Sequence, residues 1–281
     1  MKRKISLTLI MSMVLVLLVT SAVGANAKTN PIYQKVAAEK EVILATTTST
    51  QDSGLLDYML PTFEKRFNVK VKVIAVGTGQ AIQLGKDKNA DVVLVHSRKA
   101  EDEFVRDGFG HKAHDVMYNQ FLIVGPKNDP ANIKSAKSAA DAFKKIAGSN
   151  SKFISRGDDS GTHKKELSIL SKAGIKPEGK WYVSAGQGMG ETLRMGEEMG
   201  AYVLTDEATY LTNKTGLINL SPTDKDLFNP YGIIQVTGTK KPHTANELIW
   251  FFISPEGQSM INQFGRNQYG KNLFVPDAKR R

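Results

Sequence analysis

The sequence predicts an α/β fold in two lobes, with a cleft between them. Strands and helices alternate at roughly 25–30 residues per unit, the pattern of mainly parallel sheets with helices on their faces. Two apolar stretches, 115–126 and 231–236, can each leave one sheet and enter another, enclosing an inserted lobe. Segments rich in hydroxyls and glycine fall just after predicted strands, where binding residues of such folds collect.

Composition narrows the class. The chain has 281 residues, 41% hydrophobic and 23% charged, which suits one large or two medium globular domains. With Cys 0, a disulfide frame, thiolate zinc sites and a lipid-modified N-terminal cysteine are excluded. Lys2, Arg3 and Lys4, the apolar run 5–19 and Ala25-Asn26-Ala27 together read as a signal peptide cleaved after Ala27. Its removal takes away those three cations and no acid, so the net charge falls from +10 to +7. The cations are scattered and many neighbour acids, as Asp102, Glu103 and Arg106 show, so a nucleic-acid partner is not expected.

In order, residues 28–40 read as a mobile polar lead-in. Glu41-Val42-Ile43-Leu44-Ala45 is a buried strand. Thr46-Thr47-Thr48-Ser49-Thr50 follows, and Leu55, Leu56, Met59, Leu60 and Phe63 recur at helical spacing, so a helix is expected to open near Ser53. One hydroxyl suffices for an N-cap; an anion could use the surplus. Residues 69–76 alternate as a strand, then Gly77-Thr78-Gly79-Gln80 opens another helix. Asp91-Val92-Val93-Leu94-Val95 is a strand ending at His96 and Ser97. Past the crossing stretch 115–126 come a helix over 139–147 and the strand Phe153-Ile154-Ser155. Trp181-Tyr182-Val183-Ser184 precedes Gly186-Gln187-Gly188-Met189-Gly190 at a further helix start, and Ala201-Tyr202-Val203-Leu204-Thr205-Asp206 is the next strand. Residues 244–264 are helical with a break near Pro255.

The most informative stretch is Ser155-Arg156-Gly157-Asp158-Asp159-Ser160-Gly161-Thr162-His163, directly before a helical pattern. A helix N-terminus offers unpaired N–H groups and partial positive charge, and glycine admits an anion to them. Arg156 adds a planar fork of donors. A simple turn, with Asp159 or Ser160 as N-cap, accounts for the same residues equally well at this point. No P-loop, dinucleotide fingerprint, Gly-x-Ser-x-Gly elbow or His-Glu-x-x-His occurs.

Together these pieces resemble the type II periplasmic solute-binding proteins of ABC transporters, and within them the tungstate-binding branch. The motifs that carry the resemblance are Thr46-Thr47-Thr48-Ser49-Thr50 with Asp52-Ser53-Gly54-Leu55, Val76-Gly77-Thr78-Gly79-Gln80-Ala81, Val116-Met117-Tyr118-Asn119, the Arg156 stretch, Gly186-Gln187-Gly188-Met189-Gly190 and Leu204-Thr205-Asp206. The resemblance implies a non-enzymatic, monomeric, exported receptor in the periplasm, or on the outer side of the membrane. It would deliver tungstate, with molybdate as a second ligand, to permease and ATPase subunits; no cofactor or metal cation is implied.

The expected ligand-binding residues are Thr47, Thr48, Ser49 and Thr78 from lobe one. Lobe two contributes Arg156, Ser160, Gly161 and Thr162, with backbone of Gly188 and Met189. The expected bounds are 41–119 plus 231–281 for lobe one and 120–230 for lobe two. Phosphate-binding relatives place an Asp where this chain carries His96 or Ser97. A site of donors alone favours fully deprotonated oxyanions, because a phosphate proton would find no acceptor. Two rivals stand beside this reading: the same fold holding molybdate, phosphate or sulfate, and an exported phosphate-ester hydrolase using His163 or His96 with Asp159.

Overall fold

The computed structural model describes residues 31–280; the signal segment and its cleavage site lie outside the described residues. Ten strands and twelve α-helices are described. In lobe one, β1 (Glu41–Thr47), β2 (Lys70–Val76) and β3 (Val92–Val95) are parallel, with β1 central. Their connections hold α2 (Thr48–Asp52), α3 (Leu55–Phe67) and α4 (Thr78–Lys86); α1 (Pro31–Glu39) precedes β1 and α5 (Arg98–Arg106) follows β3.

The strand β4 (Gly110–Gly125) belongs to both lobes. Residues 110–120 pair with β9 (Phe228–Val236) in lobe one, and residues 121–124 pair with β7 (Tyr202–Asp206) in lobe two. Lobe two is completed by α6 (Ala139–Ala147), β5 (Phe153–Ser155), α7 (Gly161–Ala173), β6 (Tyr182–Ser184), α8 (Met189–Glu198), α9 (Glu207–Thr212) and β8 (Ile218–Asn219). After β9 the chain returns to lobe one as α10 (Pro242–Ile253), α11 (Pro255–Gln263), α12 (Arg266–Tyr269) and β10 (Val275–Arg280). The overall strand order is β2-β1-β3-β9-β4-β7-β5-β6.

The sheets are mixed rather than mainly parallel. The β1, β2 and β3 pairs and the β5, β6 and β7 pairs are parallel, while β4 and β9 run antiparallel to their neighbours. A strand that carries the chain out of one lobe and one that brings it back must run in opposite senses, so the departure follows from the two-lobed topology.

Period-two alternation splits each lobe's core over the two faces of its sheet. In lobe one, Leu44, Val92, Leu94 and Ile233 pack with α3 and α10, while Ala45, Val93, Val95 and Ile234 pack with α4 and Phe104. In lobe two, Phe121, Phe153 and Tyr202 pack with α6 and α7, while Leu122, Ile154 and Val203 pack with α8.

Two local expectations are corrected. Residues 31–39 form a docked helix, not a mobile lead-in. Val36 is fully buried and the Glu39 carboxylate accepts from the His243 and Thr244 N–H groups, at 3.2 and 2.7 Å, capping α10. The helix expected near Ser53 is two helices. Thr47 caps a short one from Thr48, and Gly54 at φ +79° turns the chain into the next at Leu55.

Candidate functional site

The C-terminal ends of the parallel strands of both lobes point to the cleft, and the segments after them meet there. A Cβ built on Gly77 would stand 3.6 Å from the Asp158 carbonyl oxygen, and one on Gly79 would stand 2.3 Å from Asp159 Oδ2. A Cβ on Gly161 would stand 2.6 Å from His96 Cε1. The Gly77–Thr78 turn and His96 of lobe one thus lie against the Arg156-to-Gly161 segment of lobe two.

In lobe one the hydroxyls after β1 form a connected set. Thr46 Oγ1 donates to the Leu94 carbonyl at 2.7 Å, and Thr47 Oγ1 lies 3.1 Å from Ser49 Oγ and 2.7 Å from Thr50 Oγ1. Thr47 Oγ1 also accepts from the Thr50 N–H at 3.3 Å, as the cap of α2. Much of the expected hydroxyl surplus is therefore used locally. Thr48 is only half-buried and Ser49 is buried. Thr78 differs: it is fully buried, yet its Oγ1 has no hydrogen-bond partner. It opens α4 behind Gly77, which has no side chain to cap the helix, so the first N–H groups of α4 stay uncapped.

In lobe two Arg156 is 2% exposed. Its Nη2 pairs with Asp158, while its Nε is buried without a partner. Burial pulls the Asp158 carboxyl upward, but contacts to Ser160 and Arg156 outweigh it and hold the group below the ordinary carboxylate range. Gly157 sits at φ +60°, and a Cβ there would lie 1.8 Å from Ser184 Oγ, so only glycine fits this turn. Ser160 caps α7 by accepting from the His163 N–H at 3.2 Å. The N–H groups of Gly161 and Thr162 have no acceptor within the helix. Thr162 is buried. Gly188 precedes α8 and is exposed, whereas the Met189 side chain is fully buried in the lobe-two core, leaving only its backbone as a donor.

His96 follows β3 and is 5% exposed. Burial lowers its pKa to about 4, with the Asn229 hydrogen bond opposing, so the imidazole is neutral near pH 7. His163 is half-buried and also lowered by burial; its Nδ1 accepts from the Asp159 N–H at 3.1 Å. Behind the Arg156 loop, burial pushes Glu166 up to about 7. Tyr182 Oη donates to Glu166 and accepts from Ser155 Oγ at 2.9 Å. Sequence reasoning singled out neither this pair nor Asn229. Buried polar residues without a motif around them leave no periodic signal; only the folded chain brings their partners to them.

Among the described residues no group of three or more His, Cys, Asp or Glu could hold a metal ion. Two surface hollows, one by Lys86 and Phe109 and one by His111 and Trp250, lie at the opposite ends of the lobe-one strands and share no residue with the cleft. Chemically, the cleft gathers buried donors from both lobes around one guanidinium. That set suits an anion with several oxygens.

Comparison with known proteins agrees with this architecture. Residues 25–256 match the PBP superfamily domain. The tungstate-binding protein TupA of Peptoclostridium acidaminophilum is 48% identical over 289 residues, covering 99% of each chain. A solved structure described as the tungstate ABC transporter from Geobacter sulfurreducens is 55% identical, with a TM-score of 0.73, over 80% of this chain and 99% of that one. The tungstate-binding protein TupA from Desulfovibrio alaskensis G20 is 39% identical, with a TM-score of 0.71, over 85% of this chain and 99% of that one. By the length and closeness of these matches, the chain belongs to the PBP superfamily, on the branch of those transporter-associated relatives.

Proposed function

We propose that the chain is an extracytoplasmic solute-binding protein that captures tungstate between its lobes and delivers it to an ABC permease and its ATPase. The observation that carries this reading is the pair of orphaned donors. Thr78 Oγ1 and Arg156 Nε are buried without partners, they come from opposite lobes, and their segments touch. A buried donor left unmade costs about 1–3 kcal/mol, which a bound oxyanion would recover on both sides at once. The relatives' tungstate names give the ligand its identity, and the basic start with its apolar run supports export.

Two of the carboxylates near the cleft, Asp158 and Asp206, favour a deprotonated ligand over hydrogen phosphate. Asp158 is engaged by Arg156 and Ser160, and Asp206 by Asn119 and Thr209, so neither is available for a ligand proton. A binding role is supported by the relatives, which are described as a tungstate-binding protein and a tungstate ABC transporter structure. The hydroxyls near His96 are hydrogen-bonded among themselves, and His163 Nδ1 accepts from the Asp159 N–H. The test is a thermal-shift panel on the mature chain. Tungstate is expected to raise the melting temperature far more than phosphate or sulfate at equal concentration, with molybdate as the near competitor. Equal shifts for all four would defeat the reading, and turnover of a chromogenic phosphate ester would favour a hydrolase.

A further inference from the structure

A single line of hydrogen bonds crosses from lobe two to the floor of lobe one. It starts at Asp206, fully buried at the end of β7, whose carboxylate accepts from Thr209 N at 2.9 Å and Thr209 Oγ1 at 2.6 Å. Asp206 Oδ1 also takes a hydrogen from Asn119 Nδ2 at 3.5 Å. The amide of Asn119 is thereby oriented, and its Oδ1 accepts from Asn229 Nδ2 at 2.7 Å. Asn229 Nδ2 also faces Tyr231 Oη at 3.3 Å. The oxygen of Asn229 is then the atom 3.0 Å from His96 Nδ1. An amide oxygen only accepts, so Nδ1 carries the hydrogen. A neutral ring with hydrogen on Nδ1 has a bare lone pair on Nε2, and that atom lies 3.4 Å from Ser49 Oγ.

We propose that Asp206, acting through Asn119 and Asn229, fixes His96 as a hydrogen-bond acceptor for Ser49, and that His96 is thereby a specificity-determining positioning residue of the cleft. This rests on the oxyanion reading above. Gly161 of lobe two lies against the His96 ring, and the one cleft hydroxyl the ring faces is Ser49. His96 acts through the Ser49 hydrogen, which rests on Nε2 or on Thr47 Oγ1, 3.1 Å away, or turns to a bound anion. An anion recruits that hydrogen only by accepting it better than a neutral imidazole does. Sulfate, the conjugate base of a stronger acid than hydrogen tungstate or hydrogen molybdate, is the poorer acceptor. The imidazole therefore biases the cleft toward the more basic oxyanions. Both asparagines lie on the crossing strands, so the bias is set from the opposite lobe.

The test has two arms. Nitrogen-15 NMR of the ligand-free wild-type protein is expected to show His96 with hydrogen on Nδ1; hydrogen on Nε2 would overturn the relay. In Asp206→Asn the carboxylate's obligatory acceptor is lost, and the His96 signals are expected to move toward the other tautomer; an unchanged tautomer would overturn control from lobe two. Calorimetry with sodium tungstate and sodium sulfate forms the second arm. His96→Phe keeps a ring beneath Gly161 and is expected to lower the tungstate-to-sulfate affinity ratio roughly fivefold, the worth of one net hydrogen bond. An unchanged ratio would overturn the specificity role. If the wild-type protein failed to bind tungstate, the function proposed above would fall, and the tautomer arm would still judge the relay.

Discussion

Lobe one meets the cleft with hydroxyls, lobe two with a guanidinium, and the two are held in place differently. Thr46, Thr47, Ser49 and Thr50 are already bonded to one another or to backbone. Arg156 is tied at one nitrogen to Asp158 and bare at another, and Thr78 is bare altogether. Hydroxyl density alone is thus a poor guide to ligand contacts. A run of threonines after a strand can be a self-sufficient cap, whereas one threonine with nothing to bond stores an unmet demand that a ligand can satisfy.

The contrast is open to direct attack, beginning with the largest effect. Arg156→Ala is expected to weaken tungstate binding at least about tenfold by calorimetry, because a buried charge-assisted hydrogen bond is worth more than about 1.5 kcal/mol. An unchanged affinity would mean that lobe two contributes no charge to the ligand. The second test separates the two kinds of threonine. Thr78→Val is expected to leave the ligand-free melting temperature unchanged and to reduce tungstate affinity by roughly three- to tenfold. Thr47→Val, by removing the cap of α2, is expected to destabilise the ligand-free protein by about 1 kcal/mol in denaturant titrations. If both variants behaved alike, the distinction between a satisfied and an orphaned hydroxyl would fail.

The smallest effect concerns support for Arg156. Glu166 lies behind its loop with a pKa raised by burial from 4.5 to about 7, so the folded protein holds a proton that the unfolded chain releases. More protons bound in the folded state means that this group's contribution to stability is lost as pH rises from about 4.5 to about 7. His96 has the opposite sign: lowered from 6.5 to about 4, it costs stability as pH falls through that range. Glu166→Gln removes the first contribution alone. Its stability relative to wild type is expected to improve on going from pH 5 to pH 8, by on the order of 1 kcal/mol. A pH-independent difference would show that Glu166 is ionised throughout.

Much of this architecture was readable in advance because it rests on local signals. The apolar runs at 42–45, 92–95 and 121–124 mark strands, and Ser160-Gly161 marks a helix start, whatever lies elsewhere in the chain. The failures have distant causes. Helix α1 is stabilised by its fit against α10, whose N-terminus Glu39 caps, and nothing within residues 31–39 announces that partner. The mixed sheet likewise depends on which way the crossing strands run. Within the site, Thr78 and Arg156 stood out because each follows a strand and opens or precedes a helix. Asn119 lay within a quoted motif, but its partner Asn229 did not, and their pairing depends on β4 and β9 lying side by side.

The sharing of β4 between both sheets has a mechanical consequence. One unbroken strand, laced to its antiparallel neighbour along residues 110–120, resists translation of either half past the other, because sliding would break every rung of that ladder. What remains soft is bending and twisting where the lacing ends, near Gln120 and Phe228. Opening is then a swing about a two-ply ribbon, and the mouth widens most at the rim farthest from it.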